Sequence, residues 1–207
     1  FRRVLFRSKE LALRYAEGWV KNFPDNAFAV HTLASLSGKA DTVENNLNYT
    51  HNLYDAFADT YEEKMSELAC SIPAKMTALL NKRHFQNALD LGCGTGLSGK
   101  ALRPLCDKLT GVDLSQKMLE KAQEKNVYDK LVCADIQSFL SKEKSKYDLI
   151  VAADVFCYIY QLNDVFDAIF QALKKGGIFV FTIESTDEKG IQIIHQGRYC
   201  HPLSYIQ

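Results

Sequence analysis

The chain has 207 residues, of which 47% are hydrophobic and 24% charged, and its 25 basic side chains equal its 25 acidic ones. This composition is typical of a folded globular protein, and the lack of a basic excess gives no indication of nucleic-acid binding. No apolar run approaches the roughly 18 residues of a membrane helix. The six cysteines form no C-x-x-C pair and no zinc-type spacing, so we expect reduced thiols, no metal site and a cytoplasmic protein.

The N-terminal part of the sequence is predicted to be helical. Residues 1–8, FRRVLFRS, resemble a translated sequencing adapter and are left out of the fold. Within 9–67, a first helix ends before Pro24, a second ends at Gly38, and a third is expected from about Asp41. This third helix carries aromatic side chains at helical spacing, Tyr54, Phe57 and Tyr61, which are typical of a core face and also fit a pocket wall. The helix–turn–helix pattern resembles one tetratricopeptide unit, which indicates either the remnant of a longer array or a helical cap.

Strands and helices alternate in the second predicted domain, residues 68–207. The five expected strands are NALDL, KLTGVDLS, KLVCADI, YDLIVAADV and IFVFTIE, and the helix before the last one is expected to end at Gly176. Near-continuous apolar strands of this kind predict a Rossmann-like α/β fold with a doubly wound, mostly parallel sheet. Only residues 185–207 follow the fifth strand, too few for another helix and two strands. We therefore predict a five-stranded, C-terminally truncated sheet with an uncovered edge.

The stretch ALDLGCGTGLSG fits two glycine patterns. Read from Gly94 it is G-x-G-x-x-G, the dinucleotide fingerprint, and read from Gly92 it is G-x-G-x-G. The predicted strand ends at Leu91, so the turn falls on Gly92 and the dinucleotide pattern is out of register. Asp90 would repel a pyrophosphate, whereas it would pair with the sulfonium and amino groups of S-adenosylmethionine. The second pattern is therefore favoured over a nicotinamide site.

ALDLGCGTG resembles the first motif of class I S-adenosylmethionine-dependent methyltransferases. GVDLS, CADI and LKKGGIFVFTIE resemble the later motifs in the family's order, so the resemblance covers about residues 88–184. It implies methyl transfer from S-adenosylmethionine to an unidentified acceptor, with Asp113 on the ribose, and Asp135 and Ile136 on the adenine. The cofactor-binding set that it implies is Asp90, Gly92, Cys93, Gly94, Gly96, Asp113, Leu114, Met118, Asp135, Ile136, Ala153 and Tyr54.

YTHNLYDAFADTYEEKMSEL resembles a narrower group, the bacterial methyltransferases with a tetratricopeptide-type leader. In that group the aromatic helix lies over the cofactor pocket. The resemblance implies that residues 9–67 form a leader that covers the cofactor and offers a surface for a peptide or protein partner.

Alternative interpretations stay open for several residues and for the function. The glycines fit ordinary turns, Asp113 fits a helix N-terminus and Asp135 fits a loop. Candidates for acid–base chemistry are Asp154, His195 and His201, although partly exposed loop positions are the simpler expectation for the two histidines. The rival functions are a nicotinamide-dependent oxidoreductase and a peptide-binding scaffold with a non-catalytic methyltransferase fold.

Overall fold

A computed structural model describes residues 8–43, 47–81 and 83–206. Contacts within the chain divide it into two compact units. The first comprises the residues up to Tyr49, residues 156–161 and those from Ile183 onward, and the second comprises 50–155 and 162–182. Of the adapter-like residues 1–8, residues 1–7 lie outside the described part. The predicted domain boundary after residue 67 stays a prediction.

The elements alternate in chain order much as the sequence pattern predicts. The described helices are α1 (Lys9–Asn22), α2 (Ala27–Ser37), α3 (Leu47–Phe57), α4 (Tyr61–Glu67), α5 (Ile72–Leu79), α6 (Leu97–Leu102), α7 (Gln116–Glu124), α8 (Ile136–Leu140), α9 (Asn163–Ala172) and α10 (Leu203–Ile206). The described strands are β1 (Phe85–Leu91), β2 (Cys106–Asp113), β3 (Lys130–Cys133), β4 (Tyr147–Ala152), β5 (Leu173–Phe181), β6 (Ser185–Thr186), β7 (Gln192–Ile193) and β8 (Tyr199–Pro202). Single 3₁₀ turns occupy Ala40–Val43, Arg103–Leu105 and Phe156–Tyr158. No described helix has both the length and the apolar character needed to cross a membrane.

The second unit is built on a five-stranded sheet of order β3-β2-β1-β4-β5, in which all neighbours are parallel. Leu89, Leu109 and Ile150 are completely buried, as expected for strands covered on both faces. The predicted α/β fold with a five-stranded parallel sheet is therefore confirmed. The strand order reverses between β1 and β4, and such a switch point is where ligands bind in this architecture.

The first unit joins the N-terminal helices to the last described segment of the chain. Helices α1 and α2 pack against each other, and β6, β8 and β7 form a three-stranded sheet. The expectation that residues 185–207 are too few for a helix and two strands is wrong, because these strands are only two to four residues long and α10 has only four residues. Ala34 of α2 shares a buried cluster with Ile193 and Tyr199. His31 donates from Nε2 to the carbonyl oxygen of Gly197 at 2.8 Å. Helix α2 therefore buries its face against residues far along the chain rather than against a second helical repeat.

The predicted third helix, from Asp41 through Tyr61, is wrong as one continuous element. The chain forms a 3₁₀ turn at Ala40–Val43, helix α3, a turn at residues 58–60 and then α4. The backbone N–H of Thr60 donates to the carbonyl oxygen of Phe57 at 3.1 Å, and this turn bond ends α3.

The sequence also predicts that the helix between β4 and β5 ends at Gly176, and this prediction is wrong. Helix α9 ends at Ala172, and β5 already begins at Leu173, which pairs with Tyr147. The N–H groups of Ser145 and Lys146 donate to the last helical carbonyl oxygens, those of Gln171 and Ala172. Tertiary contacts therefore satisfy the helix end before the glycine pair is reached.

Candidate functional site

The glycine loop follows β1 directly and makes a tight turn into α6. Gly92 has φ +64° and Gly94 has φ +52°, in the left-handed region that glycine adopts without strain. A Cβ at Gly92 would overlap Cγ2 of Val155, whereas one at Gly94 would meet no atom within 4 Å in the described part of the chain. The N–H of Cys93 donates to the carbonyl oxygen of Val112 at 3.0 Å and ties the loop to β2.

Asp113, at the end of β2, lies against the glycine loop. Its Oδ2 accepts the N–H of Gly94 and its Oδ1 accepts the N–H of Ser115, both at 2.8 Å. Burial raises the pKa of Asp113, and the nearby carboxylate of Asp55 raises it further. Asp55 in turn accepts the hydroxyl of Ser115 at 2.5 Å. The end of β2 thus carries concentrated negative charge.

Asp90 is completely buried at the end of β1. The hydroxyl of Tyr128 donates to its Oδ2 at 2.7 Å, and its Oδ1 has no hydrogen-bond partner among the described residues. Burial, together with the smaller effect of Asp113, raises the pKa of Asp90 to about 7 against the lowering effect of the tyrosine bond. A buried carboxylate with a vacant acceptor oxygen is costly unless a cation or donor pairs with it.

A cleft opens over the glycine loop. Its walls comprise the loop itself, the start of α6, the end of β4, α4 and the segment before α5. The lining residues are Tyr61, Met65, Cys70, Ile72, Pro73, Gly92, Cys93, Gly94, Thr95, Leu97, Ser98, Ala153 and Asp154. The cleft therefore brings together four predicted cofactor residues, Gly92, Cys93, Gly94 and Ala153, and one predicted catalytic candidate, Asp154. Tyr54 is not among the lining residues, but its ring meets that of Tyr61 edge-on at 6.2 Å.

The residues from α3 to α4 are held on α7 by polar contacts. Besides the Asp55–Ser115 bond, Asp59 pairs with Lys121 at 3.1 Å and Glu62 pairs with Lys125. These contacts fix the segment from which Tyr61 and Met65 enter the cleft. The spacing of Tyr61 with Tyr54 and Phe57 fits a core face or a pocket wall, and Tyr61 lines the cleft.

The remaining predicted cofactor residues, Asp90 and Asp113 among them, lie outside the cleft lining. Asp135 caps α8, its Oδ1 accepting the N–H of Ser138 at 2.9 Å, and Ile136 is the first residue of that helix. Met118 is completely buried in α7, and Leu114 is half-buried between β2 and α7. Gly96 precedes α6 and faces the ring of Tyr128. Their assigned cofactor contacts stay predictions.

The three candidates for acid–base chemistry differ in their surroundings. Asp154 lines the cleft with φ +58°, an uncommon backbone conformation for a residue with a side chain, and its N–H donates to Thr182 Oγ1 at 2.8 Å. His195 is exposed in a turn of the first unit. The expectation of a partly exposed His201 is wrong, because it is completely buried and its Nε2 donates to the carbonyl oxygens of Ile159 and Tyr160. No described group of three or more His, Cys, Asp or Glu side chains forms a metal site.

Comparison with known proteins shows which protein family this part of the chain resembles. The model of a methyltransferase domain matches residues 89–181, from the end of β1 to the end of β5. Residues 89–181 therefore resemble a class I S-adenosylmethionine-dependent methyltransferase domain. Malonyl-[acyl-carrier protein] O-methyltransferase of Salmonella typhimurium is 29% identical over 125 residues, covering 60% of this chain and 49% of the relative. Human methyltransferase-like protein 27 is 36% identical over 86 residues, covering 39% and 35%. The chain spans about half the length of the first of these relatives.

Solved structures of methyltransferases share the fold of this part of the chain. A Haloferax volcanii methyltransferase in complex with the Trm112 methyltransferase activator matches with a TM-score of 0.53 and 26% identity, over 61% of this chain and 57% of that one. The DhpI–SAH complex matches with a TM-score of 0.59 and 17% identity, over 77% and 83%. The second match shows the fold alone.

The residues of the site fit S-adenosylmethionine, the cofactor of this domain family. The vacant Oδ1 of Asp90 offers an acceptor to a cationic group, and the open space beside Gly94 lets a ligand approach the backbone. The carboxylates of Asp90 and Asp113 make the site negative, which suits a ligand with a sulfonium and an ammonium group and opposes a pyrophosphate.

Proposed function

We propose that this protein transfers a methyl group from S-adenosylmethionine to an acceptor molecule. The observation that carries the proposal is the buried Asp90 with its vacant Oδ1, next to a glycine loop that opens into a cleft. The donor supplies a methyl carbon that its sulfonium already activates. The chain therefore has to bind and orient donor and acceptor for an in-line displacement.

The two carboxylates are proposed to hold opposite ends of the donor. Asp90 would accept the ammonium group, and Asp113 would accept the ribose hydroxyls. The oxygens of Asp113 each accept one backbone N–H, and each carboxylate oxygen has a second lone pair for a ligand. Asp135 and Ile136 are proposed at the adenine, where Asp135 would combine this contact with its capping bond to Ser138.

The third glycine of the dinucleotide pattern has another explanation, which weakens the nicotinamide alternative. Gly99 lies inside α6, and a Cβ there would overlap the ring and hydroxyl of Tyr128. The absence of a side chain at position 99 therefore makes room for a tyrosine of the same chain.

Asp154 is proposed as the group that faces the acceptor. It lines the cleft from the end of β4, and its left-handed backbone is the kind of conformation that clusters at functional sites. If the acceptor is a hydroxyl or an amine, a carboxylate at this place would help to remove its proton. The acceptor is proposed to be a small molecule or a protein. The Salmonella typhimurium relative is named for an acyl-carrier protein as acceptor.

The leader is proposed to act as a cover for the cofactor and as a contact for a protein partner. The entry of Tyr61 and Met65 into the cleft supports the first role. For the second, the Haloferax volcanii relative binds a protein activator. A tetratricopeptide-type origin of residues 9–67 rests on the sequence resemblance. A cytoplasmic location is proposed because the six cysteines form no disulfide among the described residues.

The test is methyl transfer itself. The purified protein is incubated with methyl-labelled S-adenosylmethionine and a panel of carboxylate, hydroxyl and amine acceptors, including acyl-carrier protein, and S-adenosylhomocysteine is measured. We expect acceptor-dependent product, and slower turnover with little change in donor affinity for Asp154→Asn. Binding of neither S-adenosylmethionine nor S-adenosylhomocysteine by the wild type would contradict the proposal.

A further inference from the structure

Tyr128 lies in the loop between α7 and β3, and its ring fills a space that three glycines leave open. The glycines come from three different places: Gly96 before α6, Gly99 inside it, and Gly111 in β2. A Cβ at Gly111 would lie 2.9 Å from Cε1 of the ring, one at Gly96 would lie 3.1 Å from Cε2, and one at Gly99 would overlap Cζ and the hydroxyl. The fold therefore keeps side chains away from this ring on several sides.

The loop that carries Tyr128 is pinned to its neighbours. Oδ2 of Asp129 accepts the N–H of Leu109 and a guanidinium N–H of Arg103, each at 2.7 Å. The N–H of Asp129 returns a bond to the carbonyl oxygen of Leu109 at 2.9 Å. Arg103 also donates to the carbonyl oxygen of Val127 at 3.3 Å. The backbone is thus fixed on both sides of Tyr128, and the position of its hydroxyl is defined.

That hydroxyl donates to Oδ2 of the buried Asp90 at 2.7 Å. Among the described residues, Asp90 interacts with the ionisable groups of Tyr128, Cys93 and Asp113. None of these three carries a positive charge. Burial and the neighbouring Asp90 raise the pKa of Tyr128, so the phenol stays neutral. The phenol donates a hydrogen bond to the ionised carboxyl of Asp90 and leaves its negative charge in place. A lysine or an arginine at this place would cancel that charge.

We propose that Tyr128 is a positioning residue that keeps Asp90 ionised and fixed, leaving Oδ1 and the negative charge for the ammonium group of the methyl donor. This inference rests on the proposed function. A hydrogen bond to the charged form of a carboxyl favours that form, so its loss shifts ionisation to higher pH. The ligand requires the ionised form. The role of Tyr128 therefore shows as a shift in the pH dependence of ligand binding.

The experiment measures the affinity for S-adenosylhomocysteine by calorimetry between pH 5.5 and 8.5. In the wild type we expect affinity to rise with pH, with a midpoint near the Asp90 pKa of about 7. Tyr128→Phe keeps the ring in its glycine space and removes only the hydroxyl. We expect its midpoint to lie about one pH unit higher, with about a fivefold to tenfold loss at pH 7 and little loss at the alkaline limit.

Two further variants control the measurement. Tyr147→Phe removes the hydroxyl of another buried tyrosine, at the start of β4, and should leave the midpoint unchanged. Tyr128→3-fluorotyrosine keeps the hydroxyl, makes it a stronger donor and should move the midpoint to lower pH. This nearly isosteric change also serves if Tyr128→Phe does not fold.

The outcomes separate the inference from the proposed function. Suppose that the wild type binds S-adenosylhomocysteine and that Tyr128→Phe has the same pH midpoint, or loses affinity equally at every pH. Either result would overturn the inference and leave the proposed function standing. An unmoved midpoint in the fluorotyrosine variant would also overturn it. Failure of the wild type to bind at any pH would overturn both.

Discussion

Alanine at two neighbouring loop glycines should separate a structural role from a ligand-binding role. Gly92 and Gly94 both have positive φ, so alanine at either place costs about 1–2 kcal/mol of backbone strain. At Gly92 the new methyl group would also overlap Val155, which adds about 1–3 kcal/mol. We therefore expect Gly92→Ala to lower the free energy of unfolding by about 2–5 kcal/mol, and Gly94→Ala by only about 1–2 kcal/mol.

Ligand binding should show the opposite order. The Cβ of Gly94→Ala would stand in the space where a ligand approaches the loop, so affinity for S-adenosylhomocysteine should fall at least about tenfold in a protein that still folds. Urea denaturation gives the stabilities and calorimetry the affinities. The double variant Gly92→Ala/Val155→Ala should recover part of the stability loss. Wild-type affinity in Gly94→Ala would refute the reasoning, because the ligand would then not approach the loop there.

Three other changes test separate parts of the site. Burial raises the pKa of Asp90 to about 7 in the ligand-free fold, whereas the unfolded chain has a pKa of about 4. The free energy of unfolding therefore falls as the pH rises from about 4 to about 7, and it stays lowered above about pH 7. Asp90→Asn should thus unfold at higher urea than the wild type above pH 7 and not below pH 4; a destabilised variant at pH 8 would contradict this. Asp113→Ala should lower the affinity for the methyl donor and for its demethylated product alike, by about ten- to hundredfold in calorimetry, because both ligands keep the ribose. A loss of affinity for one ligand only would count against a ribose contact. Tyr61→Ala removes part of a cleft wall and should lower the affinity for S-adenosylhomocysteine by about fivefold to thirtyfold. Tyr15→Ala, at an exposed tyrosine, should leave the affinity unchanged. Equal effects of the two variants would argue against a covering role.

The sequence predicts the sheet well because its signal is local. Each apolar strand can be recognised within one short segment, because the spacing of hydrophobic residues changes where a helix begins. Parallel pairing then follows from the alternation of strands with helices. The end of α9 was misplaced because Gly176 looks like a helix C-cap, while the bonds that end the helix come from Ser145 and Lys146. No pattern around residue 172 carries that information.

The candidate site was predictable where a residue stands at the carboxyl end of a strand. Asp90 and Asp113 stand at the ends of β1 and β2, so parallel pairing brings them to the same edge of the sheet. Tyr128 was missed because its partner Asp90 lies 38 residues away and its own loop has no motif. The available signal was indirect: Gly99 and Gly111 are glycines inside a helix and a strand, where no turn requires them.

The central claim is that this site is built for the cationic end of S-adenosylmethionine rather than for a pyrophosphate. Its most direct test is calorimetric binding of S-adenosylmethionine, S-adenosylhomocysteine and NADH to the wild type and to Asp90→Asn. We predict that the wild type binds the first two and not NADH, and that the variant loses about tenfold or more for both, with the larger loss for the donor if its sulfonium also meets Asp90. No donor binding in the wild type, together with tighter NADH binding in Asp90→Asn, would contradict the account.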